Sequence, residues 1–284
     1  MASLADRSVT AETEDGAFRI VTVRTTDTVS ACLRAHGLSG PSAVHLAEVI
    51  TGTVLVRLAM APDLRVQTLL RGRNGKGTLV ADCHPDGGSR GLARQTRGPV
   101  DVGPGSMMQV LRSLPNGELH QGLVEVPEEY GLSGAFMVYM LESEQVTSVV
   151  GVGCAMDGER VEAAGGWMVQ LMPECAEPPV DALYEHMRAA FHDPAAVLRG
   201  CDADPRALLE GILRGTASRT VSEGALEHRC RCSATRVLSS LATLSTADVE
   251  DILAKGETLE ITCDYCQQAY EVSPESLRGL LDVS

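Results

Sequence analysis

The sequence predicts an α+β protein that ends in a small metal-binding module. Strand-like alternation and glycine-rich breaks are interleaved with helical patterns over about the first 175 residues. From Pro178 the composition shifts to short amphipathic stretches punctuated by proline and glycine. The last fifth carries four cysteines in two tight pairs, Cys230-x-Cys232 and Cys263-x-x-Cys266. These three observations divide the chain into a mixed strand and helix domain over 1–177, a helical linker over 178–229 and a zinc-binding domain over 230–284.

In chain order, a strand is expected around Phe18 to Val23, then a helix near Asp27 to His36 that Gly37 can end with a left-handed cap. The run PSAVHLAEVITGTVLVRLAM is apolar almost all round, the signature of a helix buried on several sides. After Pro62 the period becomes two, with Val66, Thr68 and Leu70 on one strand face, and GRNGKG and HPDGGSRG mark hairpin turns. Neither glycine-rich break has phosphate-loop spacing or a helix directly after it. Strands follow at Gly122 to Val126 and Val149 to Cys154, with a helix over Leu132 to Ser143 between them. In AAGGWMVQLMPE the alternation of Trp167, Val169 and Leu171 predicts a last buried strand.

Within 178–229 one helical face gathers Val180, Leu183, Tyr184, Met187 and Phe191. A second helix starts with Asp204 as N-cap and Pro205 at its first position, and buries Leu208, Leu209, Ile212 and Leu213. Helices this short are marginal alone in water. Two readings stand on the residues alone: the helices simply dock on the main domain, or they are conditionally ordered and, when their support is removed, bare Leu183, Met187, Phe191, Leu208, Leu209 and Ile212 as an apolar surface that another protein could bind. The terminal module has its own pattern. A helix carries Val237, Leu238 and Leu241; Ser245 and Asp248 form a capping box stapled by Leu244 and Val249 for a helix that stops at Gly256. Strands around Leu259 to Ile261 and Ala269 to Val272 flank the CDYC turn, and Ser273 with Pro274 opens a last helix with Leu277, Leu280 and Leu281 inside.

Two residues in a tight pair can aim both sulfurs into one space, and two such pairs complete a tetrahedral four-thiolate shell for Zn2+. The thirty residues 233–262 that separate the pairs exceed common ribbon spacing, so the motif contains an inserted element. A core of some 55 residues supplies roughly 3 to 5 kcal/mol, whereas structural zinc contributes about 10 to 16 kcal/mol in small peptides. The metal is therefore expected to decide whether the module folds. Arg229, Arg231 and Arg236 could offset the charge of four thiolates, and His228 is a possible substitute ligand. Cys32, Cys83, Cys154, Cys175 and Cys201 lie in apolar or turn contexts and read as inert thiols. His45 and Glu48 share a helix face, but no second histidine follows at zinc-protease spacing. No nucleophile, base and orienter set is found, so no enzyme is expected.

Composition bounds the partners. The net charge of −14 disfavours nucleic-acid phosphates and anionic membranes. MASLADRSVTAETEDG has neither a basic start nor an apolar run, which argues against a signal peptide. No segment approaches the roughly 18 consecutive apolar residues of a membrane span. Nine cysteines, an odd number, suit a reducing compartment, and a cytoplasmic location is expected.

The two cysteine pairs, with CDYC, AAGGWMVQLMPE, YMLESEQ and HLAEVITGTVLV, resemble the thirty-three-kilodalton heat-shock protein family of redox-switched holdase chaperones. The resemblance spans nearly the whole chain. It implies an α+β N-terminal domain, a metastable redox-sensitive linker and a C-terminal zinc domain that together sense oxidants. By the same resemblance Cys230, Cys232, Cys263 and Cys266 bind zinc when reduced. Oxidation then forms disulfides between Cys230 and Cys232 and between Cys263 and Cys266, and unfolding proteins are held, usually by a homodimer. The chain departs from the family in its low aromatic content of 3% and its five additional cysteines. Two alternatives stay open on the residues alone. One is a constitutive zinc-ribbon adaptor for a protein or nucleic acid; the other is a thiol-disulfide oxidoreductase at Cys263 and Cys266, which lacks the usual βαβ context.

Overall fold

The computed structural model describes residues 4–60, 63–95, 98–173, 175, 178–241, 246–256 and 258–281, with the side chains of 74, 246, 248 and 279–281 excepted. The chain forms two compact units, Met1–Arg229 and Cys230–Ser284.

The first unit opens with β1 (Arg7–Thr13) and β2 (Phe18–Arg24), an antiparallel pair, followed by α1 (Thr26–His36). Gly37 ends α1 at φ 56°, in the left-handed region that glycine enters without cost, as its sequence predicts. The long α2 (Gly40–Met60) precedes β3 (Val66–Arg71), β4 (Thr78–Cys83), β5 (Gly88–Arg94), β6 (Met107–Ser113) and β7 (Leu119–Glu125). Both glycine-rich breaks are hairpin connections; in the second, the His84 N–H donates to the Gly88 carbonyl at 3.0 Å and Gly87 turns at φ 81°. Then come α3 (Gly131–Glu142), β8 (Ser148–Asp157) and β9 (Arg160–Leu171). The unit closes with α4 (Val180–Ala190), α5 (Pro194–Gly200), α6 (Pro205–Leu213), β10 (Ser218–Ala225) and β11 (Glu227–His228).

Two sheets result. One is antiparallel in the order β10-β1-β2-β9-β8, and the other runs β11-β5-β4-β3-β6-β7 with β11 parallel to β5. α2 packs on strands of both, so its apolar residues are covered on every side and Leu46, Val49, Ile50, Val54 and Leu55 are fully enclosed. By length and composition α2 could cross a membrane, but most of it is buried inside the fold, as a core helix would be. The opposite face of the first sheet is covered by α4, α5 and α6, which form a second core with Ile20, Ala155, Trp167 and Val169.

Three differences from the sequence expectation have physical causes. β1, RSVTAET, was not anticipated because Ser8 and Thr10 are polar, yet both are buried in a strand covered on two faces. The linker was expected to be helical throughout, but its end is β10, SRTVSEGA, an exposed strand with little apolar signal that forms by backbone pairing with β1. The expected apolar face of α4 is also narrower than its periodicity suggests. Met187 is buried and Leu183 and Phe191 are half-buried, whereas Val180 and Tyr184 remain 41% and 49% exposed.

The second unit comprises α7 (Ala234–Leu241), α8 (Thr246–Lys255), the hairpin β12 (Leu259–Thr262) and β13 (Ala269–Val272), and α9 (Pro274–Leu281). Its core centres on Val237, Val272 and Leu277, with Leu238, Leu241, Ile252, Leu253 and Tyr270 around them. Gly256 ends α8 at φ 66°. Ser245 and Leu244 of the expected capping box, and the Asp248, Leu280 and Leu281 side chains, lie outside the described residues.

Candidate metal centre

Each cysteine pair is placed by a different device. Cys230 and Cys232 lie in the short segment without regular secondary structure between β11 and α7, and both sulfurs reach the same cluster. Cys263 and Cys266 bracket a tight turn between β12 and β13. There the Cys263 N–H donates to the Gln268 carbonyl and the Gln267 N–H to the Cys263 carbonyl, both at 2.9 Å. Gln267 is left-handed at φ 60°, and its side-chain amide donates to the Asp264 carbonyl at 3.0 Å, which holds the turn closed.

The four sulfurs meet. Cys230 Sγ lies 3.8 Å from Cys263 Sγ and Cys232 Sγ lies 3.3 Å from Cys266 Sγ, and all four fall within 4.8 Å of one another. A tetrahedron of bonds near 2.3 Å places its sulfurs roughly 3.8 Å apart, so the donor set suits zinc in number, chemistry and spacing. Among the described residues these four cysteines are the one cluster able to hold a metal. All are half-buried. Burial, and then the neighbouring sulfurs, push the Cys266 thiol up to about 12, and burial also raises Cys232. Four clustered sulfurs cannot all ionise without a cation among them, so the site favours a divalent metal over four free thiolates.

The model of the family described as Hsp33 protein matches residues 6–273. The chain belongs to that family. A 33 kDa chaperonin of Syntrophotalea carbinolica is 28% identical over 97% of this chain and 99% of its own length. A 33 kDa chaperonin of Synechococcus elongatus is 30% identical over 98% of each. The fold is also that of the crystal structure of the 33 kDa chaperonin, a heat shock protein 33 homolog, from Thermotoga maritima. The two match with a TM-score of 0.84 over 99% of both chains at 22% identity.

The residues expected to support the centre are placed less simply than the four cysteines. Arg229 is engaged by carboxylates, at 2.7 Å from Asp86 and paired with Glu227, and the Arg236 guanidinium donates to the Arg231 carbonyl at 2.7 Å. His228 lies in β11, outside the sulfur cluster. One side chain found at a sulfur has no place in the sequence expectation: the Tyr270 hydroxyl lies 3.0 Å from Cys232 Sγ. Its signal was available, since it stands four residues beyond Cys266 in the strand that leaves the turn.

The five other cysteines lie outside the sulfur cluster. Cys32, Cys83 and Cys154 are buried, while Cys175 and Cys201 are half-buried beside the second core. Burial, then the nearby Glu48 charge, pushes the Cys154 thiol up to about 12. Burial raises Cys83 although Arg57 Nε donates to its sulfur at 3.2 Å. Of the expected client surface, Leu208, Leu209, Ile212 and Met187 are buried against the first sheet, and Phe191 meets Trp167 edge to face with centroids 5.0 Å apart.

Proposed function

We propose that this chain is a redox-regulated holdase chaperone whose sensor is a zinc centre formed by Cys230, Cys232, Cys263 and Cys266. The observation that carries the reading is the convergence of four half-buried sulfurs within 4.8 Å in a unit whose own core is small. Bound there, zinc would hold all four sulfurs as thiolates and tie the two ends of the unit together. Thiolates are also what oxidants attack, so the groups that close the fold are the groups that sense.

In this reading each thiolate pair gives two electrons to hydrogen peroxide, which takes two protons from solvent and is reduced to two waters, as Cys230 joins Cys232 and Cys263 joins Cys266, and the zinc ion is released to solvent. A disulfide sulfur cannot complete a four-thiolate shell, and the second unit then has only the cluster around Val237, Val272 and Leu277 to keep it folded. Residues 178–229 run directly into that unit, and we assign them as the redox-sensitive linker. Release of α4 and α6 from the sheet bares Leu183, Met187, Phe191, Leu208, Leu209 and Ile212, an apolar surface that suits an unfolding client. The active form is taken to be a homodimer in the cytoplasm, with protein clients and no nucleic acid or membrane as partner.

The test is light scattering of a thermally unfolding client, with metal content followed in parallel. The reduced protein should carry one zinc and suppress aggregation weakly; peroxide should raise suppression while zinc is lost, and re-reduction with zinc should reverse both. Equal suppression by the reduced zinc form removes the switch. Retention of zinc under mild oxidant favours the constitutive adaptor.

A further inference from the structure

Tyr270 sits on β13 opposite Ile261 of β12, with its ring against the core of the second unit. The hairpin that carries the second cysteine pair in its turn therefore aims the hydroxyl, at 3.0 Å, on a sulfur of the first pair. An ionised sulfur can only accept, so the phenol must then be the donor. Hydrogen bonds to an ionised acceptor are the strong ones, and groups that bond a metal's ligands typically change affinity 10- to 100-fold when removed. The backbone N–H of Gln268 also donates at Cys266, but any residue except proline would supply it at that position. Tyr270 contributes through its side chain, which a substitution can remove.

We propose that Tyr270 is a positioning residue of the metal centre, its hydroxyl donating to the Cys232 thiolate so that this sulfur is oriented, made less basic and held in the ligand set. The proposal rests on the zinc reading above. It makes the two cysteine pairs unequal, because the sulfur of the first pair is restrained by a group that belongs to the hairpin of the second. Tyr270→Phe keeps the ring in the core and removes only the donor.

The experiment uses the reduced full-length chain and its Tyr270→Phe variant. Zinc affinity is measured by competition with a chromophoric chelator, and the thiolate-to-metal charge-transfer band is recorded after saturation with cobalt(II). The variant should bind one metal with roughly 10- to 100-fold lower affinity. Its charge-transfer band should move to lower energy, because a thiolate without its hydrogen bond is the better electron donor. The band is read on metal-saturated protein, so a variant that is merely less stable would not shift it. Equal affinity with an unmoved band overturns the role of Tyr270 and leaves the zinc reading standing. Failure of the wild-type chain to bind either metal overturns the zinc reading and Tyr270 with it.

Discussion

Glu48 is an uncommon residue for a core helix. It keeps partial surface exposure, but burial among apolar neighbours pushes its carboxyl up to about 8. Below the ordinary value near 4.5 the folded and unfolded chains both hold the proton. Between there and about 8 only the unfolded chain has released it, so stability falls as pH rises through this window and then levels off. Glu48→Gln should therefore stabilise the first unit by an increment that grows from pH 5 to pH 8.5. Chemical denaturation followed through Trp167, the chain's single tryptophan, reads it, and an increment that is flat across that range contradicts the assignment. Legibility differed sharply among residues of this kind. The four cysteines were readable because two tight pairs are a spacing visible in sequence, whereas Tyr270 and Glu48 take their character from partners and burial that only the folded chain supplies.

At the level of elements, the junction between α5 and α6 is pinned to the first sheet by polar anchors. Asp202 and Ala203 are both left-handed, at φ 51° and 50°, a conformation costly for residues other than glycine. Against that cost, Arg24 of β2 donates to the Asp202 carbonyl and to its carboxylate at 3.1 Å, while Arg7 reaches Asp204 at 2.9 Å. Thr22 donates to the Pro205 carbonyl at 2.8 Å. The Arg24 side chain is only 3% exposed and also faces Asp6, itself buried, at 3.7 Å. Removing it leaves Asp6 without its cation, so Arg24→Ala should cost about 3 kcal/mol, the usual scale for breaking a buried pair. Hydrogen exchange in α5 and α6 should rise more than in β8 and β9; uniform loss of protection would argue against a local anchor. Helices with apolar stripes and strands between glycine-rich turns were legible, while β1 and β10 were not. Strands built on serine, threonine and backbone pairing leave no hydrophobic period to read.

For the molecule as a whole, the contrast between its two units sets the expected melting behaviour. The first unit is closed around α2 by two sheets, while the second depends on a few apolar residues and the sulfur cluster. Under reducing conditions a zinc chelator should abolish hydrogen-exchange protection across 230–284 while the central strands β2 and β9 stay protected. A single transition that loses both together would show that the metal does not govern the second unit separately. The cysteine arithmetic announced that a small terminal module exists. The extent of the first unit, which reaches Arg229 through β10 and β11, was hidden because its last strands pair with elements more than a hundred residues earlier in the chain.

The enclosure of α2 also has a consequence for how the chain is made. α2 is complete at Met60, but β9, one of the strands that covers it, begins a hundred residues later at Arg160. At about 5–20 residues per second that interval lasts roughly 5–20 s. For that time an emerging chain carries an almost uninterrupted apolar helix with part of its cover not yet synthesised, and during its own birth it presents the kind of surface that its finished form is proposed to hold for others.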